Sequence, residues 1–77
     1  MNRSISTIAG EIKRDWLKVN YAAKPYLDAM MSLNSIDDRY YEDSAKSVII
    51  YFLGNASSWR GEKAKQIKQE LKLMIKS

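Results

Sequence analysis

The sequence predicts an all-α fold, a small bundle of three to four helices forming one domain over residues 1–77. Three observations point there. Apolar residues recur every three to four positions near both ends of the chain. Pro25 and the pair Gly54-Asn55 punctuate the chain between apolar segments. The one strand-like run, Val48 to Phe52, has no second such run to pair with.

In the first segment Ile5, Ile8, Ala9, Ile12, Trp16 and Val19 fall within about a 100° arc, as an amphipathic helix requires. The spacing predicts a helix over about 4–20, capped by Ser4 or Ser6 and ended by Asn20. Pro25 disfavours helical geometry at Lys24 and suits the first turn of a second helix, over about 25–34. The alternative is one continuous helix kinked at Pro25. Residues 34–43, rich in turn formers and acids, read as a loop.

Asp43 or Ser44 then caps a third helix, over about 43–54, in which Ala45, Val48, Ile49, Phe52 and Leu53 recur at helical spacing. Ile50 and Tyr51 occupy its other sides, which predicts a central, buried helix; a strand over 48–53 is the alternative. Gly54 is expected to stop it in the left-handed conformation of a C-terminal cap. Ser57 or Ser58 is expected to cap the last helix, over about 58–75, with Ala64, Ile67, Leu71, Met74 and Ile75 facing the core.

A chain of 77 residues buries only about 60% of the surface its unfolded form exposes. Without cysteine or histidine, disulfides and thiolate or imidazole metal sites are excluded as staples. No apolar run exceeds six residues, far below the roughly 18 of a membrane span. No long apolar stretch follows Arg3, so no secretory signal is expected. A cytoplasmic protein with no membrane partner is the resulting expectation.

The formal charge of +4 is concentrated at one end. From Met1 to Ser58 seven basic residues balance seven acids, whereas the last 19 residues hold six basic residues and two acids. Such a field attracts polyanions. Lys65, Lys68, Lys72 and Lys76 lie within about an 80° arc of the last helix, with Arg60 just before it. This stripe is a candidate polyanion-binding face for a nucleic acid or an acidic protein. The favoured reading is a solvated face complementing the helix C-terminus. A stripe of lysine rather than arginine argues against base-specific reading. The turn at Gly54-Asn55 followed by a basic helix also admits a helix-turn-helix, but Glu62 and Gly61 occupy the turn where base contacts arise.

Trp59-Arg60-Gly61 has two readings. An exposed Trp59 beside Arg60 is a candidate interaction hot spot or base-stacking platform. The favoured reading has Trp59 closing one end of the core, with Gly61 allowing close helix packing. Asp37, Asp38, Glu42 and Asp43 lack the spacing and glycine of an EF-hand and read as a solvated loop. Tyr21, Tyr26, Tyr40 and Tyr41 read as amphipathic fillers. The usual nucleophile–base pairs are missing, and Gly10, Gly54 and Gly61 lie too far apart for a phosphate loop. The sequence therefore points away from an enzyme, a cofactor or a small-molecule substrate.

Trp16-Leu-Lys-Val-Asn-Tyr-Ala-Ala-Lys-Pro-Tyr26, Asp43-Ser-Ala-Lys46 and Tyr51-Phe-Leu-Gly-Asn-Ala-Ser-Ser-Trp-Arg-Gly61 form a pattern within the stretch from Trp16 to Lys72. The pattern resembles small proteins of unestablished activity encoded by bacteriophages and prophages of gut bacteria. The resemblance implies a phage or mobile-element accessory protein that binds a macromolecule in the bacterial cytoplasm. Apart from it, Leu17, Ile50, Tyr51 and Leu73 are large apolar residues off the core stripes. The expectation is a non-enzymatic helical interaction module that binds a protein partner or itself. The alternative is a nucleic-acid-binding accessory protein using Lys65, Lys68, Lys72 and Lys76 with Arg60 and Trp59.

Overall fold

The computed structural model describes residues 3–76. It contains α1 (Ile5–Asp15), α2 (Lys24–Met30), a two-residue hairpin of β1 (Arg39–Tyr40) and β2 (Asp43–Ser44), α3 (Ala45–Gly54) and α4 (Glu62–Lys76). The all-α bundle holds, and residues 48–53 are helical.

Ser4 caps α1 by accepting the Thr7 N–H at 3.2 Å. Two more of the N–H groups that a helix start leaves free donate to the chain after α2, from Ile5 to the Asn34 carbonyl (2.9 Å) and from Ser6 to the Leu33 carbonyl (2.8 Å). The helix stops at Asp15, five residues before the expected end. Trp16 leaves helical geometry (φ −96°, ψ 84°) and stacks on Trp59, ring centroids 5.8 Å apart. Trp16 and Val19 still face the core, so the apolar period outlasts the helix. Asn20 opens the next element instead of closing this one. Its side chain accepts the Ala22 N–H at 3.1 Å, and its carbonyl accepts those of Ala23 and Lys24 at 2.8 and 3.0 Å.

Pro25 sits in the first turn of α2, as its missing N–H permits. The helix ends at Met30, four residues earlier than expected, yet Leu33 beyond it is buried. The acidic loop contains the short hairpin, with Arg39 opposite Ser44 and Tyr40 opposite Asp43. Tyr41 takes a positive φ of 57° at the tip, where glycine is the usual occupant. Asp38 accepts the Asn34 and Ser35 N–H groups at 2.8 and 3.2 Å, and these bonds hold its carboxyl below its ordinary pKa.

Ser44 caps α3 by accepting the Ser47 N–H at 3.1 Å. Its inner face, Ala45, Val48, Ile49 and Phe52, packs against α2 and α4. Its outer face is open: Ile50 is 46% and Tyr51 53% exposed, so α3 is central without being buried all round. Ala64, Ile67, Leu71 and Met74 of α4 complete the core, with Ile75 partly covered.

Neither Gly54 nor Gly61 plays the role expected of it. Gly54 is the last residue of α3 and has no positive φ; Asn55 makes the cap (φ −111°). Gly61 has φ 117°, a conformation in which L side chains are strained, and nothing lies within 4 Å of where its Cβ would be. Backbone geometry, rather than close helix packing, requires glycine there. Its carbonyl accepts the Lys65 N–H at 3.0 Å, so α4 starts after Gly61 and neither Ser57 nor Ser58 caps it. Gly61→Ala is expected to lower stability by about 1–2 kcal/mol and Gly54→Ala to raise it by about 0.5–1 kcal/mol, read by urea denaturation.

Candidate functional site

The candidate site is assembled at the entry to α4. Trp59, in the turn before the helix, is 2% exposed. Besides stacking on Trp16, it meets Phe52 edge-on at 6.4 Å. Its indole N–H donates to Asp15 Oδ2 at 2.8 Å, which ties the end of α1 to the start of α4. Trp59 therefore closes the core, and the reading of it as an exposed hot spot or stacking platform is corrected. Arg60 beside it is exposed.

The four lysines do not behave alike. Lys68 is turned inward: its amine donates to the Trp59 carbonyl at 2.7 Å and lies 5.8 Å from the indole ring centre. Burial, with the charges of Lys72 and Arg60, pushes its pKa below the ordinary lysine value. Lys65, Lys72 and Lys76 point to solvent. Among the described residues, none of Arg60, Lys65, Lys68, Lys72 and Lys76 forms an ion pair with an acid.

The opposite flank of the same helix is paired. Arg3 bridges Glu11 of α1 and Glu70 of α4, the latter at 2.7 Å, and Lys63 reaches Glu11 at 3.3 Å. Desolvation raises the Glu11 pKa, but hydrogen bonds and charge from Lys63 and Arg3 outweigh it and hold the carboxyl below its usual range. Thus α4 spends one flank on α1 and leaves the other with unbalanced positive charge.

Two adjoining shallow hollows run along the free flank. One, of about 330 Å³, is lined by Trp59, Arg60, Gly61, Ala64, Lys65 and Lys68. The next, of about 260 Å³, is lined by Lys65, Lys68, Gln69 and Lys72. Leu73, 64% exposed, continues the surface towards Lys76. The inward turn of Lys68 and the part played by Gln69 escaped sequence reasoning. A 100° helical projection places Lys68 nearest the core stripe, and that was the available signal.

Leu17 (84%), Tyr21 (86%), Ile50 and Tyr51 are exposed and line neither hollow, with Tyr51 against the Tyr26 ring at 5.5 Å. Among the described residues no group of three or more acids could hold a metal ion, and no helix is long and apolar enough to cross a membrane. No protein-family model, curated protein or solved structure matches the chain.

Because Trp59 is structural, Trp59→Phe is expected to lower stability by about 1–2 kcal/mol through loss of the Asp15 bond and some packing. Polyanion affinity of the folded variant should stay within about twofold of the parent, by denaturant titration and fluorescence anisotropy on the same samples.

Proposed function

We propose that the protein is a non-enzymatic interaction module that docks an acidic protein surface on the free flank of α4. The observation that carries this reading is the two-sidedness of α4. Lys63 and Glu70 are paired with Glu11 of α1 and with Arg3 just before it, while Arg60, Lys65, Lys72 and Lys76 face solvent and, among the described residues, form no ion pair. A cationic flank interrupted by Leu73 and Gln69 suits an acidic protein segment with an apolar residue of its own.

A nucleic acid is the second reading, supported by the same charge. Two observations favour protein over it. Apart from Arg60, the flank offers lysine rather than the bidentate forks that read bases. Its tryptophan is committed to Trp16 and Asp15 and is not free to stack on a base. A phage or mobile-element accessory role in a bacterial cytoplasm is the setting that the resemblance implies.

The test is fluorescence anisotropy with a labelled Glu-rich peptide carrying leucine at helical spacing, and with duplex DNA, single-stranded DNA and RNA, at about 50 and 200 mM salt. The variant is Lys65→Glu/Lys72→Glu, which spares the inward Lys68. The reading predicts that the peptide binds more tightly than any nucleic acid and loses about tenfold in affinity in the variant. Equal peptide affinity in parent and variant would overturn it. Tighter binding to a nucleic acid would replace it with the second reading.

A further inference from the structure

We propose that the acidic surface docked by α4 is the hairpin of a second copy, so that the protein associates head to tail. This proposal rests on the reading of α4 as a docking face. Segment 37–43 carries four acids against one arginine. Two of these groups are turned onto their own loop. Asp38 accepts the N–H groups of Asn34 and Ser35, and the Arg39 guanidinium donates to the Glu42 carbonyl at 3.0 Å. Asp37, Glu42 and Asp43 are exposed, and among the described residues none of them forms an ion pair. Tyr41 stands at the tip, 86% exposed and edge-on to Tyr40 at 4.7 Å.

The hairpin and the entry to α4 lie at opposite ends of α3. The hairpin joins the first residue of that helix, where the Ala45 N–H donates to the Asp38 carbonyl at 2.9 Å. Trp59 and its neighbouring cations sit near the last turns, beside Phe52. Ten residues of helix span about 15 Å, well beyond the roughly 8 Å screening length at physiological salt. Arg60 and Lys65 at the entry to α4 are therefore not neutralised by the hairpin of their own molecule, whereas the far end of α4 returns towards it, with Met74 lining a hollow with Asn34, Ile36 and Asp37; between two molecules the hairpin and that entry can meet.

The shapes agree with the charges. The hollow lined by Trp59, Arg60, Ala64, Lys65 and Lys68 has room for one aromatic side chain, and Arg60 at its edge offers a cation to the Tyr41 ring. Glu42 and Asp43 then lie beside Lys65 and Lys72. A hairpin-to-helix contact joins unlike surfaces and leaves a free hairpin and a free α4 flank on every pair. Association therefore proceeds to chains or a closed ring rather than stopping at a two-fold dimer.

Sedimentation velocity at about 200 µM protein, a concentration that reveals weak polar interfaces, tests this at about 20 and 300 mM salt. Lys65→Gln/Lys72→Gln disables the flank, and Glu42→Gln/Asp43→Asn disables the hairpin. The proposal predicts that the parent sediments as species larger than a monomer at the lower salt and as a monomer at the higher. Each variant alone should be a monomer. An equal mixture of the two should form a one-to-one dimer and nothing larger, because only one interface remains intact. A monomeric parent at the lower salt would overturn it, as would a hairpin variant that associates like the parent. If the parent is monomeric while the acidic peptide still binds, the docking reading stands and the second-copy proposal falls. If the peptide also fails, both fall.

Discussion

The stack of Trp16 on Trp59, with Phe52 against both, is the contact on which the rest of the arrangement depends. The three rings come from the end of α1, the last turns of α3 and the turn before α4. A chain with no cysteine and no histidine has no covalent or imidazole–metal staple for these segments, so large aromatic surfaces supply the closure. The contact has consequences in both directions along the chain. Trp16 leaves the helix to reach its partner, which ends α1 at Asp15 and places the Asp15 carboxylate where the Trp59 indole donates to it. On the other side Trp59 lies outside α4, so the chain needs the positive φ of Gly61 to enter that helix.

That entry fixes which way α4 faces. With Ala64, Ile67, Leu71 and Met74 on the core, Lys63 and Glu70 fall towards α1, where Glu11 and Arg3 receive them. The lysines fall on the far flank, where among the described residues no acid forms an ion pair with them. Exposed ion pairs add little to stability, so the pairing matters here chiefly for sidedness. It cancels charge on one flank and leaves the field of the other intact. The closing of the core thus also orients the positive surface.

Much of this was legible in the sequence, and the failures share a cause. The α4 stripe, the Ser4 and Ser44 caps and the Pro25 break are local signals, set by spacing and by single hydrogen bonds. The length of α1 was not legible because Trp16 and Val19 continue the helical period after the helix has stopped. A turn that packs against the core meets the same apolar requirement as a helix. Gly54 and Gly61 are indistinguishable by residue type, and only the path demanded by Trp59 assigns the positive φ to Gly61. The hairpin was hidden because two-residue strands carry no period, and Tyr41 is not a residue that announces a positive φ. At the candidate site the lysine stripe was legible as spacing, but the separation of Lys68 from its neighbours was not. It depends on where the Trp59 carbonyl ends up, which is a tertiary fact.

The central claim is that the free flank of α4, rather than the exposed apolar residues elsewhere, is the docking face. Chemical-shift mapping on uniformly nitrogen-15-labelled protein, titrated with the acidic peptide, tests it most directly. The account predicts that shifts concentrate at Arg60, Lys65, Gln69, Lys72, Leu73 and Lys76, with the Trp59 indole N–H held in place by Asp15. Shifts that concentrate at Leu17, Tyr21, Ile50 and Tyr51 instead would contradict it and move the interface off α4.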